Sequence, residues 1–431
     1  MPLAGQGAPP SLRGTGFAYL AVLFVGDVAA QVVNQIVPED AASGALSPAL
    51  LLSIATLASS AVLWFRYRGG FSASPGLRVF LGALLGLWLL AFLLTATRRE
   101  QVSVMYFAPL FLLAGLWLRP PTEYGALRTA DALGWALIAS TVVTVALEAT
   151  GVVPSWYERS DLGGLAESDR SFYWLPLREV LGLDGRWAGP FVHPNLAGPL
   201  GAALLVFGLG RAGVTRAAFA VVGTGVLLLT GSRNSLVAAA VGVLVLVISW
   251  WLRRAGRLPV PLRVTFAAVP VVALLAALYL RDPGFSGRTT VWPEFLRLWG
   301  DDRVLGVGQG GIDALIDDGV LPVWAHHAHN VALDTLVRYG IVGLLLMVVV
   351  VASAVLIAWR RARSGRATGL ALVATLLAGS LADTILHWQY LTTPMAVLVL
   401  AVLMSSGIGE RPTRPDPDPE STSRVSSEGT A

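Results

Sequence analysis

"AHHAHNVALDTLVRYGIVGLLLMVVVVASAVLIAW", residues 325–359, joins three of the chain's five histidines to an apolar run. From Ile341 to Trp359 that run carries no charge. It therefore comes close to the length of about 20 residues that a helix needs to cross the hydrocarbon core of a bilayer. Ser235 to Leu252 reads the same way. The composition agrees: 55% of the 431 residues are hydrophobic and 13% are charged, against the roughly 25% charged residues of soluble domains. The fold class expected is an all-α polytopic membrane protein.

Working outward, segments of spanning length recur at 16–37, 47–66, 78–96, 102–118, 129–150, 195–210, 214–230, 234–252, 263–280, 331–359, 368–386 and 391–408. This predicts about twelve transmembrane helices in a single domain, 16–408, with long connections at 151–194 and 281–330. Residues 1–15 form a short leading segment. The stretch 409–431, rich in Pro, Ser, Asp and Glu, is expected to be a disordered tail. Arg13 followed by the apolar run 17–25 imitates a secretory signal, but the many later spans favour an uncleaved first helix.

Orientation follows from the basic residues, all of which are arginine. Positive residues collect in short cytoplasmic loops. With the N-terminus inside, 19 arginines fall in the inner segments, while the short outer turns hold only Arg98, Arg99 and Arg233. Both termini are assigned to the cytoplasm, and both long loops to the outside of the cytoplasmic membrane. His193, His326, His327, His329 and His387 then all lie on the outer side.

The absence of cysteine excludes a disulfide framework, a thiolate metal site and a cysteine nucleophile. The net charge of +4 is too small and too scattered for a nucleic-acid partner. The second long loop contains "GFSGRTTVWPEFLRLWGDDRVLGVGQGG", residues 284–311. Ser286 or Thr289 can cap a short helix on which Trp292, Phe295, Leu296 and Trp299 share a face, suited to the membrane surface. The glycines that follow predict a turn. They form no dinucleotide fingerprint, because no strand precedes them.

Three separate parts of the chain bring arginine and histidine to this face. "GRWAGPFVHPN" contributes Arg186, His193 and Asn195; "TGSRNS" contributes Arg233; the second loop contributes Arg288, His326, His327, His329 and Asn330. Forked arginine donors suit the oxygens of a diphosphate and the charge it gains as a leaving group. A histidine near neutral pH can take the proton of an attacking hydroxyl. The set suits transfer of a glycan from a lipid diphosphate.

The pattern "HNVALDTLVRYGIVG", residues 329–343, resembles the signature of the O-antigen ligase and polymerase family. "GRWAGPFVHPN", "LLLTGSRNSLVA", "GRTTVW" and "VLGVGQGG" are similar to other blocks of that family, as is the plan of twelve helices with a large loop before the tenth. The resemblance implies a GT-C-like enzyme that uses an undecaprenyl-diphosphate-linked glycan, without a nucleotide sugar, cofactor or metal. It implies His329 as the base, with His326 and Asn330 beside it. It implies Arg186, Arg233 and Arg288 as diphosphate ligands, and His193, Asn195 and His327 as candidate contacts to glycan or acceptor. The acceptor's identity does not carry over. Ligation ranks first and repeat-unit polymerisation second.

Plainer readings stand beside these. A histidine at a helix mouth is often only a cap. A His326/His329 pair could hold zinc, but no carboxylate or cysteine is expected beside them to complete the site. Arg98 and Arg99 read as solvated turn residues, and Arg303 as a local ion-pair partner. Trp156, Tyr157, Phe172, Tyr173 and Trp174 suit sugar stacking and interfacial anchoring equally. Asp27, Glu148 and Asp383, read as intramembrane carboxylates, support the rival class, a proton-coupled transporter or flippase.

Overall fold

The computed structural model describes residues 16–36, 47–67, 73–95, 104–153, 187–189, 191, 193–254, 288–300, 302–322, 325–381, 383–388 and 391–408. Among them the protein is helical throughout. The helices are α1 (Phe17–Ile36), α2 (Pro48–Arg66), α3 (Pro75–Thr95), α4 (Val104–Leu118), α5 (Glu123–Ala149), α6 (Pro194–Leu209), α7 (Gly213–Thr230), α8 (Arg233–Arg254), α9 (Arg288–Trp299), α10 (Gly308–Asp317), α11 (Val331–Arg363), α12 (Thr368–Ser380) and α13 (Thr393–Leu403).

Seven of these, α1, α2, α3, α5, α7, α8 and α11, are long and apolar enough to cross a membrane. Four shorter apolar helices, α4, α6, α12 and α13, accompany them. Eleven of the twelve expected segments are thus helical, and the twelfth, 263–280, lies outside the described residues. At a rise of about 1.5 Å per residue, the 13 residues of α12 span only ~20 Å, short of a bilayer core. Large apolar side chains on the long helices, among them Phe65, Leu93, Val221 and Leu356, are exposed. In lipid such a surface carries no cost, since the tails are as apolar as the side chains.

Helix contacts are close where residues are small. A β-carbon on Gly223 of α7 would fall 2.5 Å from the Leu205 backbone nitrogen and 2.8 Å from the Gly201 carbonyl oxygen of α6. No larger residue lets the two backbones approach this far.

The predicted single span 331–359 is broken in the structure. Gly340 has φ 62° and ψ −163°, outside the helical region. The strap 302–307 crosses at that break: Ile341 N–H donates to the Arg303 carbonyl at 3.0 Å, Val342 N–H to the Val304 carbonyl at 3.3 Å, and Val307 N–H to the Val337 carbonyl at 2.9 Å. The groups freed by the kink are thereby satisfied, each of which would otherwise cost about 1–3 kcal/mol when buried. A β-carbon at Gly340 would overlap Val304, and one at Gly306 would meet Val337 and Arg338. Both glycines are needed for the crossing, and both also have positive φ.

The four residues expected on one face of α9 are not buried alike. Val291, Phe295 and Leu298 are its buried residues, Trp292 and Trp299 are partly buried, and Leu296 is exposed. The buried face joins Ile312, Leu321, Ala325, Ala328 and Val337 in a small core of its own. The turn expected at 306–311 is made by Gly306 and Gly308, both with positive φ, and Gly310 and Gly311 lie within α10.

The two ends of the bundle differ. At one, Glu123 binds Arg361 and Arg366, Asp131 binds Arg211, and Arg119 donates to the Tyr67 carbonyl. At the other lie α9, α10, the start of α11 and the irregular segment after α12.

Candidate functional site

The loop before α11 is set by its own backbone. Asn330 caps the helix, its Oδ1 accepting from Ala332 N–H and Leu333 N–H at 3.0 Å each. A side-chain cap of this kind is worth about 0.5–2 kcal/mol. Its Nδ2 donates to the Leu381 carbonyl at 2.9 Å. One amide therefore starts α11 and ties it to the segment that follows α12. His329, the residue before the cap, has φ 51°, the one positive φ outside glycine among the described residues.

A buried ion pair holds the rest of the loop. Asp334 and Arg338 lie one turn apart on α11, 2.9 Å between Oδ2 and Nε, each side chain 7% exposed. Asp334 Oδ1 accepts from Ala328 N–H at 3.1 Å, and Arg338 also donates to the His326 carbonyl. Trp292 of α9 donates to the Ala328 carbonyl at 2.9 Å, so the histidine loop is pinned from both sides.

On this frame His329 Nδ1 lies 3.3 Å from Asp383 Oδ1, and the Asp383 side chain is 6% exposed. The His327 ring stands edge-on to that of His329, with centroids 4.2 Å apart, and His387 is 6.4 Å from His327. Burial, reinforced by the neighbouring His329, lowers the His327 pKa to about 4 despite the opposing pull of Asp383 and Asp334. Burial also lowers the pKa of His387. Near neutral pH both rings are uncharged, so the cluster does not stack cations.

Backbone and amide ties bring the other motif blocks to this end. Trp187 N–H donates to the Leu229 carbonyl at 3.1 Å, which fastens the "GRWAGPFVHPN" block to the end of α7. After Gly231 closes α7 in the left-handed conformation, Arg233 begins α8, its side chain exposed. Asn234 donates to the Gly379 carbonyl at the end of α12. Gly379, Leu381 and Asp383 are thus contacted in turn by Asn234, Asn330 and His329.

Of the residues singled out in the sequence, His327 and His329 meet in one cluster. The His326 side chain is 62% exposed and lies 4.0 Å from Asp313. His193 caps α6, its Nδ1 accepting from Asn195 N–H at 3.0 Å. Arg288 is the first residue of α9, one turn before Trp292, and Arg186 lies outside the described residues.

The expectation that no carboxylate lies beside the histidines is overturned by Asp383. It also leaves the expected span 368–386, because α12 ends at Ser380. Asp27 stays within α1, where Gln31 and Thr393 donate to it. Sequence spacing could not have paired residues 329 and 383, and the one signal was a carboxylate placed expensively in an apolar segment. Asp334 and Arg338 lie within the motif between His329 and Gly340, and only the fold shows that they pair and hold the histidine loop.

Fold and site together define a multi-pass membrane protein with a buried histidine and carboxylate centre at one end of its bundle. Residues 218–348 match the family described as O-Antigen ligase. The matched segment runs from α7 into α11 and includes the histidine loop. No curated protein matched the chain.

Proposed function

We propose that the protein is an O-antigen ligase-like glycosyltransferase that moves glycan from undecaprenyl diphosphate to an acceptor hydroxyl on the outer side of the cytoplasmic membrane. The observation that carries this reading is the His329–Asp383 pair, 3.3 Å apart, whose histidine lies within the matched residues 218–348. Asp383 on Nδ1 favours the tautomer whose Nε2 can accept a proton. The acceptor oxygen bonds to the anomeric carbon as its proton passes to His329. The bond from that carbon to the diphosphate oxygen breaks, and undecaprenyl diphosphate leaves with the electron pair. Arg186, Arg233 and Arg288 are assigned to the charge that grows on the leaving diphosphate. Asn330 positions both partners of the pair through its cap and its tie to Leu381.

The test is His329→Ala. Transfer should fall by about 10²–10⁴-fold, the usual contribution of a general base, with lipid-linked donor accumulating and the fold intact by thermal unfolding. Full transfer by His329→Ala together with an inactive His326→Ala would move the base to the exposed histidine.

A further inference from the structure

The same centre has the geometry of a cation site. One ring nitrogen from each of His327 and His329 and one oxygen of Asp383 lie within 4.8 Å of one another. The 3.3 Å between His329 Nδ1 and Asp383 Oδ1 is long for a charge-assisted hydrogen bond, which settles at about 2.7–2.9 Å. It matches the ~3.3 Å edge of a tetrahedron with metal bonds of about 2.0–2.1 Å, the lengths that zinc makes to imidazole and carboxylate.

His327 adds an independent observation. Its Nδ1 is buried and has no hydrogen-bond partner among the described residues, an uncommon state for a buried polar atom. Asp334, the other nearby carboxylate, is engaged by Arg338 and Ala328 N–H. The donors available are therefore two imidazoles and one carboxylate. That set prefers Zn²⁺ to Mg²⁺ or Ca²⁺, which favour oxygen ligands.

We propose that His327, His329 and Asp383 form a transition-metal site, and that Zn²⁺ bound there switches transfer off. The inhibitory half rests on the reading of His329 as the base: with Zn²⁺ on Nδ1 the neutral ring keeps its one proton on Nε2, which then cannot accept the acceptor's proton, and Asp383 is drawn from His329 to the metal.

The experiment uses the full chain purified in detergent and titrated with Co²⁺ as a spectroscopic stand-in for Zn²⁺. One Co²⁺ per chain should give the intense visible bands of a tetrahedral site, and Zn²⁺ should displace it. His327→Ala and Asp383→Asn should each weaken binding by at least about tenfold, with metal-free unfolding temperatures confirming that each is folded. Absence of bands, or bands kept by both variants, overturns the site. In a transfer assay Zn²⁺ should inhibit and EDTA should restore full activity. Binding without inhibition, or activity lost to EDTA and restored by Zn²⁺, overturns the inhibitory role. Failure of transfer in metal-free protein would count against the glycosyltransferase reading alone, since the cobalt spectrum does not depend on it.

Discussion

His329 occupies the left-handed region at φ 51°, where the β-carbon crowds the following carbonyl at a cost of roughly 1–2 kcal/mol. Such strain persists only where the surroundings impose it. Here the Asn330 cap follows at once, Trp292 and Asp334 hold Ala328 just before, and Asp383 meets the ring. A residue kept there for packing alone would give way to glycine without loss of function. We expect His329→Gly to be inactive in transfer yet more stable than His329→Ala by about 1 kcal/mol, because glycine escapes the backbone penalty that alanine retains. Chemical denaturation in detergent micelles compares the two. Equal stabilities would show that the loop relaxes and stores no strain.

The first half of α11 works as a separate element from the second. Residues 331–339 carry the buried Asp334–Arg338 pair, and beyond the Gly340 break the helix continues as an apolar span. Removing one partner of a buried pair leaves an uncompensated charge, at about 3–5 kcal/mol. Arg338→Met should lose about that much stability and release the histidine loop. Asp334→Asn in the same chain should recover part of it, since the asparagine oxygen can still accept from Ala328 N–H. A double variant no more stable than Arg338→Met would show that the pair acts through Arg338's bond to the His326 carbonyl instead. The apolar run from 341 to 359 was legible in the sequence because composition alone decides it. The break at Gly340 was not, because glycine is tolerated inside membrane helices and what opens this one is the strap 302–307, remote in sequence. Asp383 was hidden for a similar reason. Its value lies in a partner 54 positions away, whereas hydropathy is read locally.

At the scale of the whole molecule, charge sorts the two ends. Arginines gather where Glu123 and Asp131 receive them, and the histidine centre lies at the opposite end. Positive residues are retained on the cytoplasmic side during insertion, so this asymmetry predicts that the site faces outward. The chain contains no cysteine, so single cysteines report sidedness without background. Asp318, at the end of α10, and Ser364, in the turn after α11, are both exposed. In intact cells or spheroplasts, Asp318→Cys should react with an impermeant thiol reagent, and Ser364→Cys should react only after the membrane is opened. The reverse pattern would put His329 and Asp383 in the cytoplasm. Arginine placement would then have failed as a guide to this fold, and the acceptor would have to be sought among intracellular hydroxyls.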